Sequence, residues 1–292
     1  MTNASTTGRP DDRTTGPGAP LERLSVHTMT TKPWGLEDAC RHFADAGIPA
    51  ITVWRQAIAP LGVKRAAEVV KASGLRVTAL CRGGFFPALD AAGRQKAIDD
   101  NRQAIDEAAA IGAPSVVLVS GAVPGLSQAE SRKYIADGIA AVLPHARACG
   151  VRLSIEPLHP QYAADRSAVT TMAQARRLCQ QLNAPGRTDV GIAADVYHIW
   201  WDDQVEAEIA EAGRLGILHA FHVCDWKVQQ SDVLNDRGLM GEGVIDIKHL
   251  RACVDAAGFQ GDIEVEVFSN AHWATDQHQY LQKIIAAYRA HV

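Results

Sequence analysis

From Leu21 onward the chain alternates between two hydrophobic patterns. Short runs rich in Val, Ile and Leu recur eight times: LSVHT (24–28), AITVW (50–54), LRVTALC (75–81), SVVLVS (115–120), VRLSIE (151–156), VGIAAD (190–195), ILHAFHV (217–223) and DIEVEVF (262–268). Between them lie longer Ala-rich stretches such as LEDACRHFADAG, KRAAEVVKASG, RQKAIDDNRQAIDEAAAIG and RKYIADGIAAVLPHARACG. The runs read as strands and the stretches as helices. Several helices stop at a glycine just before the next strand, as in AGI, SGL, IGA and CGV. Glycine suits that place because the residue after a helix often takes the left-handed conformation, which only glycine adopts cheaply.

Strands alternating with helices predict a parallel sheet. Eight such units over residues 21–292 match an α/β fold of the (β/α)8 TIM-barrel type, in a single domain. An open doubly wound sheet would carry a Gly-rich phosphate turn after an early strand, and none is present. The preceding segment, MTNASTTGRPDDRTTGPGAP, is rich in Thr, Gly, Pro and Asp and is expected to form a disordered tail over residues 1–20. The longest predicted loop, CDWKVQQSDVLNDRGLMGEGVID, lies between the seventh strand and the helix after it. Long loops in compact domains are usually functional or disordered.

Composition narrows the function classes. The chain has 292 residues, is 47% hydrophobic and carries a net charge of −4. That size supports a core without covalent staples, and the acidic balance argues against a nucleic-acid partner. Six cysteines are scattered through apolar segments with no CxxC pair, which predicts buried free thiols in a reducing compartment. No apolar stretch reaches the ~18 residues of a membrane span, and the N-terminus lacks the apolar region of a signal peptide. Together these features predict a cytoplasmic protein.

In barrels of this type, chemistry sits at the C-terminal ends of the strands. The fifth strand ends in Glu156, the sixth in Asp195 with His198 just beyond, the seventh in His222 with Asp225 following, and the eighth near Glu266. Clustered carboxylates in a poorly solvated rim repel one another, and a divalent cation removes that cost. Three carboxylates with one imidazole suit Mn²⁺, Mg²⁺ or Co²⁺, with Zn²⁺ also admissible. A structural tetrahedral zinc is disfavoured because no thiolate accompanies the set. Glu264 shares a strand face with Glu266, because side chains alternate along a strand. Either glutamate fits the rim position from sequence alone.

The ordered motifs IEP, DxxH, HxxD and VExF resemble the xylose isomerase-like barrel superfamily, in its sugar isomerase/epimerase branch with D-tagatose 3-epimerase-like enzymes and inosose dehydratases. The segments IEPLHPQYAADRS and LNDRGLMGEGVID also resemble a bacterial subgroup described as sugar phosphate isomerase/epimerase. The resemblance implies one divalent metal, Mn²⁺ foremost, held by Glu156, Asp195, His222 and Glu266. It implies Glu156 and Glu266 as the acid and base, and His198 as a contact to substrate or to a metal-bound water. It also implies a homo-oligomer, dimer or tetramer. Two positions depart from the epimerase pattern. Cys224 stands where many epimerases carry Lys, and Trp226, Lys227 and Val228 follow where they carry Arg. Arg237 is a candidate replacement for the missing charge. Multi-zinc apurinic endonucleases share the superfamily, but they need further His at early strand ends, where this chain has CRGG and VSGA. His27 and His198 alone would not complete such a cluster.

The expected activity is isomerisation or epimerisation of a ketose or keto-sugar by proton abstraction next to a metal-polarised carbonyl. The same site supports β-elimination from a 3-keto sugar or 3-keto glycoside, so a lyase is the alternative. A non-catalytic sugar-binding or scaffold subunit is the lesser one, set against the presence of both glutamates. Expected substrate contacts are His198, Arg237, Trp54, Trp226 and Lys227. Trp34, Trp200, Trp201 and Trp273 are further candidate platforms, with at most one of the adjacent Trp200 and Trp201 facing the site. Phe85 and Phe86 are candidate pocket walls. With no Gly-rich phosphate cradle visible, the expected sugar is unphosphorylated.

Overall fold

All eight runs form strands in the computed structural model, which describes residues 19–292: β1 (Leu24–His27), β2 (Ala50–Trp54), β3 (Arg76–Gly84), β4 (Ser115–Val119), β5 (Arg152–Glu156), β6 (Val190–Asp195), β7 (Leu218–Val223) and β8 (Ile263–Val265). Each pairs in parallel with the next, and β8 closes on β1 through Leu24↔Ile263, Ser25↔Glu264 and Val26↔Val265. The result is the predicted (β/α)8 barrel. β1, β2, β4 and β6 are buried along their whole length, because helices cover the outer face and side chains fill the inner one. The main apolar core lies between barrel and helices. A smaller cluster of Trp54, Ala79, Cys81, Val117, Ala193 and Ala220 fills the interior. The narrow side chains there leave room for the polar layer above.

The glycines expected to stop helices do so: Gly47, Gly74, Gly112 and Gly150 carry φ of 73°, 72°, 76° and 69°. Two strand ends differ from expectation. β8 stops at Val265, so Glu266 stands just past its end, although its N–H still donates to Val223 O at 3.1 Å. β3 continues beyond Cys81 to Gly84, with a register shift between Cys81 and Gly83. The CRGG motif explains this extension. A Cβ on Gly84 would lie 1.9 Å from Val119 O, and one on Gly83 would lie 2.4 Å from Asn101 Oδ1. Asn101, buried on the helix Ala91–Ile111, exploits that bareness. Its Oδ1 accepts from Gly84 N–H at 2.6 Å, and its Nδ2 donates to Gly84 O and Ala97 O, both at 2.8 Å. The strand end that carries Arg82 is thus clamped to a helix.

The long loop between β7 and the helix Ile247–Ala256 is ordered by one buried acid. Asp225 Oδ1 accepts from Trp226 N–H at 2.8 Å and Ile245 N–H at 3.0 Å, and Oδ2 accepts from Gly241 and Gly243 N–H at 2.9 Å each. Tyr162 and Tyr197 hydroxyls both donate to Val233 O, at 2.8 and 2.7 Å, tying the loop to those after β5 and β6. Residues 1–18 of the expected tail lie outside the described residues, whereas Ala19 N–H already donates to Arg289 O at 3.0 Å. All six cysteines are free; Cys40, Cys81, Cys179 and Cys224 are buried as expected, but Cys149 and Cys253 are partly exposed. They sit near the ends of surface helices, where only one side of the side chain is covered. Among the described residues no helix is long and apolar enough to cross a membrane.

Candidate active site

The barrel register assembles the rim. Asp195 on β6 pairs with His222 on β7, and His222 pairs with Glu264 on β8. Glu156 ends β5 beside Val119 of β4. One ligand atom from each of Glu156, Asp195, His222 and Glu266 lies within 4.8 Å of the others, and all four residues are buried. That spacing is close to what groups sharing one ion at about 2.0–2.3 Å require. His222 Nδ1 is 3.1 Å from Glu156 Oε1. Yet both ring nitrogens of His222 and that Glu156 oxygen are buried with no hydrogen-bond partner among the described residues. Buried polar atoms are nearly always partnered. Unpartnered His222 Nδ1 and Glu156 Oε1, gathered with Asp195 and Glu266 into a hard-to-borderline set, fit a divalent cation.

The two glutamates of β8 divide their tasks. Glu264 points into the barrel, accepting from Thr52 and Thr78 hydroxyls at 2.7 and 2.9 Å. Glu266 faces the cavity, and it is the β8 member of the four-residue set. His27, at the end of β1, stands between them, with Nε2 3.4 Å from Glu264 Oε2 and Nδ1 3.1 Å from Glu266 Oε1. Trp54 Nε1 lies 3.0 Å from the same Nδ1.

Charge in this layer is strongly coupled. Burial opposes the cationic form of His222, but Glu264, Glu156 and Glu266 raise it to about 10. His27 is raised to about 9, with Glu266 and Glu264 likewise outweighing burial. Burial works against the Glu266 charge as well, yet His27, His222 and Arg237 hold this carboxylate well below its ordinary range. Asp195 is pushed up, first by burial and then by neighbouring Glu266 and Glu156, against the pull of Arg237.

Arg237 reaches the site from the long loop. Its Nη1 donates to Asp195 Oδ2 at 3.0 Å and to Glu266 Oε2 at 3.1 Å. Its guanidinium lies over Tyr197 at 4.3 Å and Phe268 at 5.0 Å. Asp195 also caps the short helix Val196–Ile199, accepting from Tyr197 N–H at 2.9 Å. That helix turns His198 inward. Burial, then Arg237, depress His198 well below the usual imidazole range, so its ring is neutral. His159 N–H donates to His198 Nδ1 at 3.2 Å, and Arg237 Nη2 stands 3.4 Å from Nε2.

A cavity of about 180 Å³ opens above these groups, and Glu156, His198, Arg237, Glu266 and Trp54 all line it. Trp226 and Lys227 are not among its lining residues. Trp226 packs on Tyr197 and His159, with ring centres 4.8 and 4.7 Å away, and so buttresses the loop. Lys227 is held by Asp236. Neither Trp200 nor Trp201 faces the cavity. Trp200 packs on Trp226, and Trp201 Nε1 donates to His198 O at 2.8 Å. Trp34 and Trp273 are also absent from the lining, and Phe86 is fully buried, because the β3 extension turns its ring towards Gly138. Phe85 packs just behind, against Val119, Leu158 and Tyr162. Arg82, Tyr162 and Arg166 line the cavity in addition to the expected contacts. His27 and Arg82 each stand at a strand end and were open to the rule that found Glu156; Arg166 and Tyr162, in the following loop, carry no such mark.

A closed parallel barrel whose C-terminal rim gathers three carboxylates and an imidazole beneath a small cavity defines a (β/α)8 protein with a prospective divalent-cation centre. The profile of the xylose isomerase-like TIM barrel family matches residues 40–284, and the chain belongs to that family. A solved structure of protein SMc04130 from Sinorhizobium meliloti 1021 is 48% identical, with a TM-score of 0.89 over 93% of this chain and 99% of that one. The IOLI protein with a bound zinc atom is 19% identical, with a TM-score of 0.78 over 92% of this chain and 99% of its own. A 3-keto-D-glucoside 4-epimerase from E. coli, in its apo form, is 18% identical with a TM-score of 0.73, covering 91% of this chain and 98% of that one. The latter two likenesses are of fold. No curated protein matches the chain in sequence.

Proposed function

We propose that the protein is a divalent-metal-dependent sugar isomerase or epimerase acting on a ketose or keto-sugar. One observation carries this reading. Of the four residues in the prospective cation set, Glu156 and Glu266 line the cavity, whereas Asp195 and His222 do not. The two groups presented to a substrate are therefore both carboxylates, placed to take and return its proton. Glu156, Asp195, His222 and Glu266 would hold the ion, Mn²⁺ foremost, with Mg²⁺, Co²⁺ or Zn²⁺ as alternatives; the zinc of the IOLI protein is consistent with such a centre. Bound there, the cation supplies Lewis-acid stabilisation for charge that develops on a carbonyl oxygen.

The chain's own residues do the rest. One glutamate takes the proton α to the carbonyl. The other returns one to the opposite face, giving epimerisation, or return to the neighbouring carbon gives isomerisation. Glu266 stays ionised between His27 and Arg237. His198, neutral and lining the cavity, would contact a sugar oxygen. Trp54, Leu158, Tyr162 and Phe268 wall the cavity against water.

A second reading, β-elimination from a 3-keto sugar or glycoside, is favoured by a groove of about 300 Å³ that shares Met29, Trp54 and Gln56 with the cavity and extends to Trp34 and Leu61. Such a groove has room for a group beyond the reacting ring.

The test is incubation with ketoses and 3-keto glycosides in D₂O with Mn²⁺, followed by mass spectrometry. Deuterium uptake with mass otherwise conserved supports epimerisation; loss of water or an aglycone supports elimination. Glu156→Gln and Glu266→Gln are each expected to lower turnover about 10²–10⁴-fold. A folded double variant with full turnover overturns the proposal.

A further inference from the structure

Two cations in the cavity have no acid bonded to them among the described residues. Arg237 is neutralised by Asp195 and Glu266. Arg82 and Arg166 line the same cavity, and neither forms an ion pair or hydrogen bond with an acid among the described residues. Asp100, whose charge reaches Arg82, pairs with Arg55, and Asp165, beside Arg166 in sequence, is exposed. Arg82 is half-buried, and both burial and neighbouring Arg166 disfavour its charge. A desolvated guanidinium without a carboxylate costs free energy unless a ligand supplies the anion.

Aromatic faces hold the pair in place instead. The Arg82 guanidinium lies 4.2 Å from the Phe85 ring centre, and that of Arg166 lies 5.8 Å from Tyr162. Phe85 and Tyr162 belong to one apolar cluster with Val119 and Leu158. A single patch at the β4–β5 side thus presents two forks with their donors unspent. Planar guanidinium forks match carboxylate and phosphate oxygens. Clamping of Gly84 by Asn101 stiffens the strand end from which Arg82 projects.

We propose that the substrate is an acidic sugar, whose terminal oxyanion, carboxylate or phosphate ester, is bound by Arg82 and Arg166 while its carbonyl end lies at Glu156 and Glu266. This rests on the sugar isomerase/epimerase reading and gives it a substrate class. The carboxylate form agrees with the expectation of an unphosphorylated sugar, and the phosphate form departs from it: a side chain from the end of β3 and one from the loop after β5 can hold an oxyanion without a Gly-rich cradle.

The test compares D-fructose, D-fructose 6-phosphate and D-fructuronate by calorimetric titration of the Mn²⁺-loaded protein at 0.15 M salt. At least one acidic ketose is expected to bind ten or more times more tightly than D-fructose. Which one does so separates phosphate from carboxylate. Arg82→Leu and Arg166→Leu, checked as folded by thermal melting, are each expected to abolish that preference. Equal affinities, no binding of either acid, or a preference that survives both substitutions overturns the inference. Mn²⁺ titrated without sugar reads the cation centre separately. Metal binding that Glu156→Gln weakens, without acid preference, sinks this inference alone; acid preference without metal binding sinks the proposed function and leaves the anion site standing.

Discussion

Asp225→Asn isolates the means by which the long loop is held over the site. The four N–H donors that converge on Asp225 all come from the segment 226–245, two on each carboxylate oxygen. Asparagine keeps the shape but has one oxygen and one amide nitrogen. Whichever way the amide turns, two backbone donors face another donor. Each buried donor left without an acceptor costs about 1–3 kcal/mol, so the pair costs about 2–6 kcal/mol. Some is recovered because Gly241 and Gly243 allow the backbone to shift, and a net loss of about 2–4 kcal/mol is expected. The loss falls first on local opening. Arg237 and Val233 lie in the same segment, so opening also releases the guanidinium from Asp195 and Glu266 and frees the Tyr162 and Tyr197 hydroxyls. Hydrogen exchange read by mass spectrometry on peptides spanning 226–245, together with urea unfolding, measures both effects. Exchange should accelerate in this segment well before it does in β4 or β5. Unchanged exchange at 226–245, with stability within about 0.5 kcal/mol of wild type, would refute the staple.

His219, at the opposite end of β7 from the rim, is pushed down to about 3 by burial and by Arg152. The unfolded chain therefore takes up the proton first as pH falls, and stability declines from about pH 6.5 towards 3. Between pH 7 and 5 this group costs about 1–2 kcal/mol, a component that urea titrations of His219→Gln should lack; equal pH slopes in the two proteins would remove His219 from the account. Asn101→Ala strips the Gly84 N–H and C=O of their partners and is expected to destabilise by about 2–3 kcal/mol, with faster exchange at 82–86; a melting curve that overlays wild type would contradict the clamp. Arg237→Met removes a cation 3.0–3.1 Å from oxygens of Asp195 and Glu266. Mn²⁺ affinity is expected to rise about tenfold or more as that competition ends, while turnover falls; calorimetry showing weaker metal binding would show that Arg237 instead organises the ligands.

The reach of sequence reading follows from what each feature depends on. Strand order and helix stops were legible because they are local: apolar runs of strand length, and glycines at Gly74 or Gly112 that a left-handed cap demands. The four rim residues were legible for a related reason. A barrel converts position along each strand into height, so polar residues ending successive apolar runs must meet, and Glu156, Asp195, His222 and Glu266 do. The choice between Glu264 and Glu266 was not legible, because alternation puts both on the inner face. It is decided by the Thr52 and Thr78 hydroxyls, which come from two other strands and satisfy the lower glutamate. The Trp residues misled for the opposite reason. Proximity in sequence to Asp195 and His222 suggested proximity to the substrate, yet a short helix after β6 rotates Trp200 and Trp201 away, and the Asp225 staple turns Trp226 back onto Tyr197. Arg82 and Arg166 show the remaining limit. Arg82 reads as a strand-end cation and Arg166 as an ordinary loop cation, and nothing in either neighbourhood says that its acid is missing. That property belongs to the cavity: it appears only once β3 and the loop after β5 are folded against the same aromatic patch, and once the acids nearby are seen to be spent elsewhere. A ligand's charge is thus written as an imbalance among groups far apart in the chain, which no motif can spell.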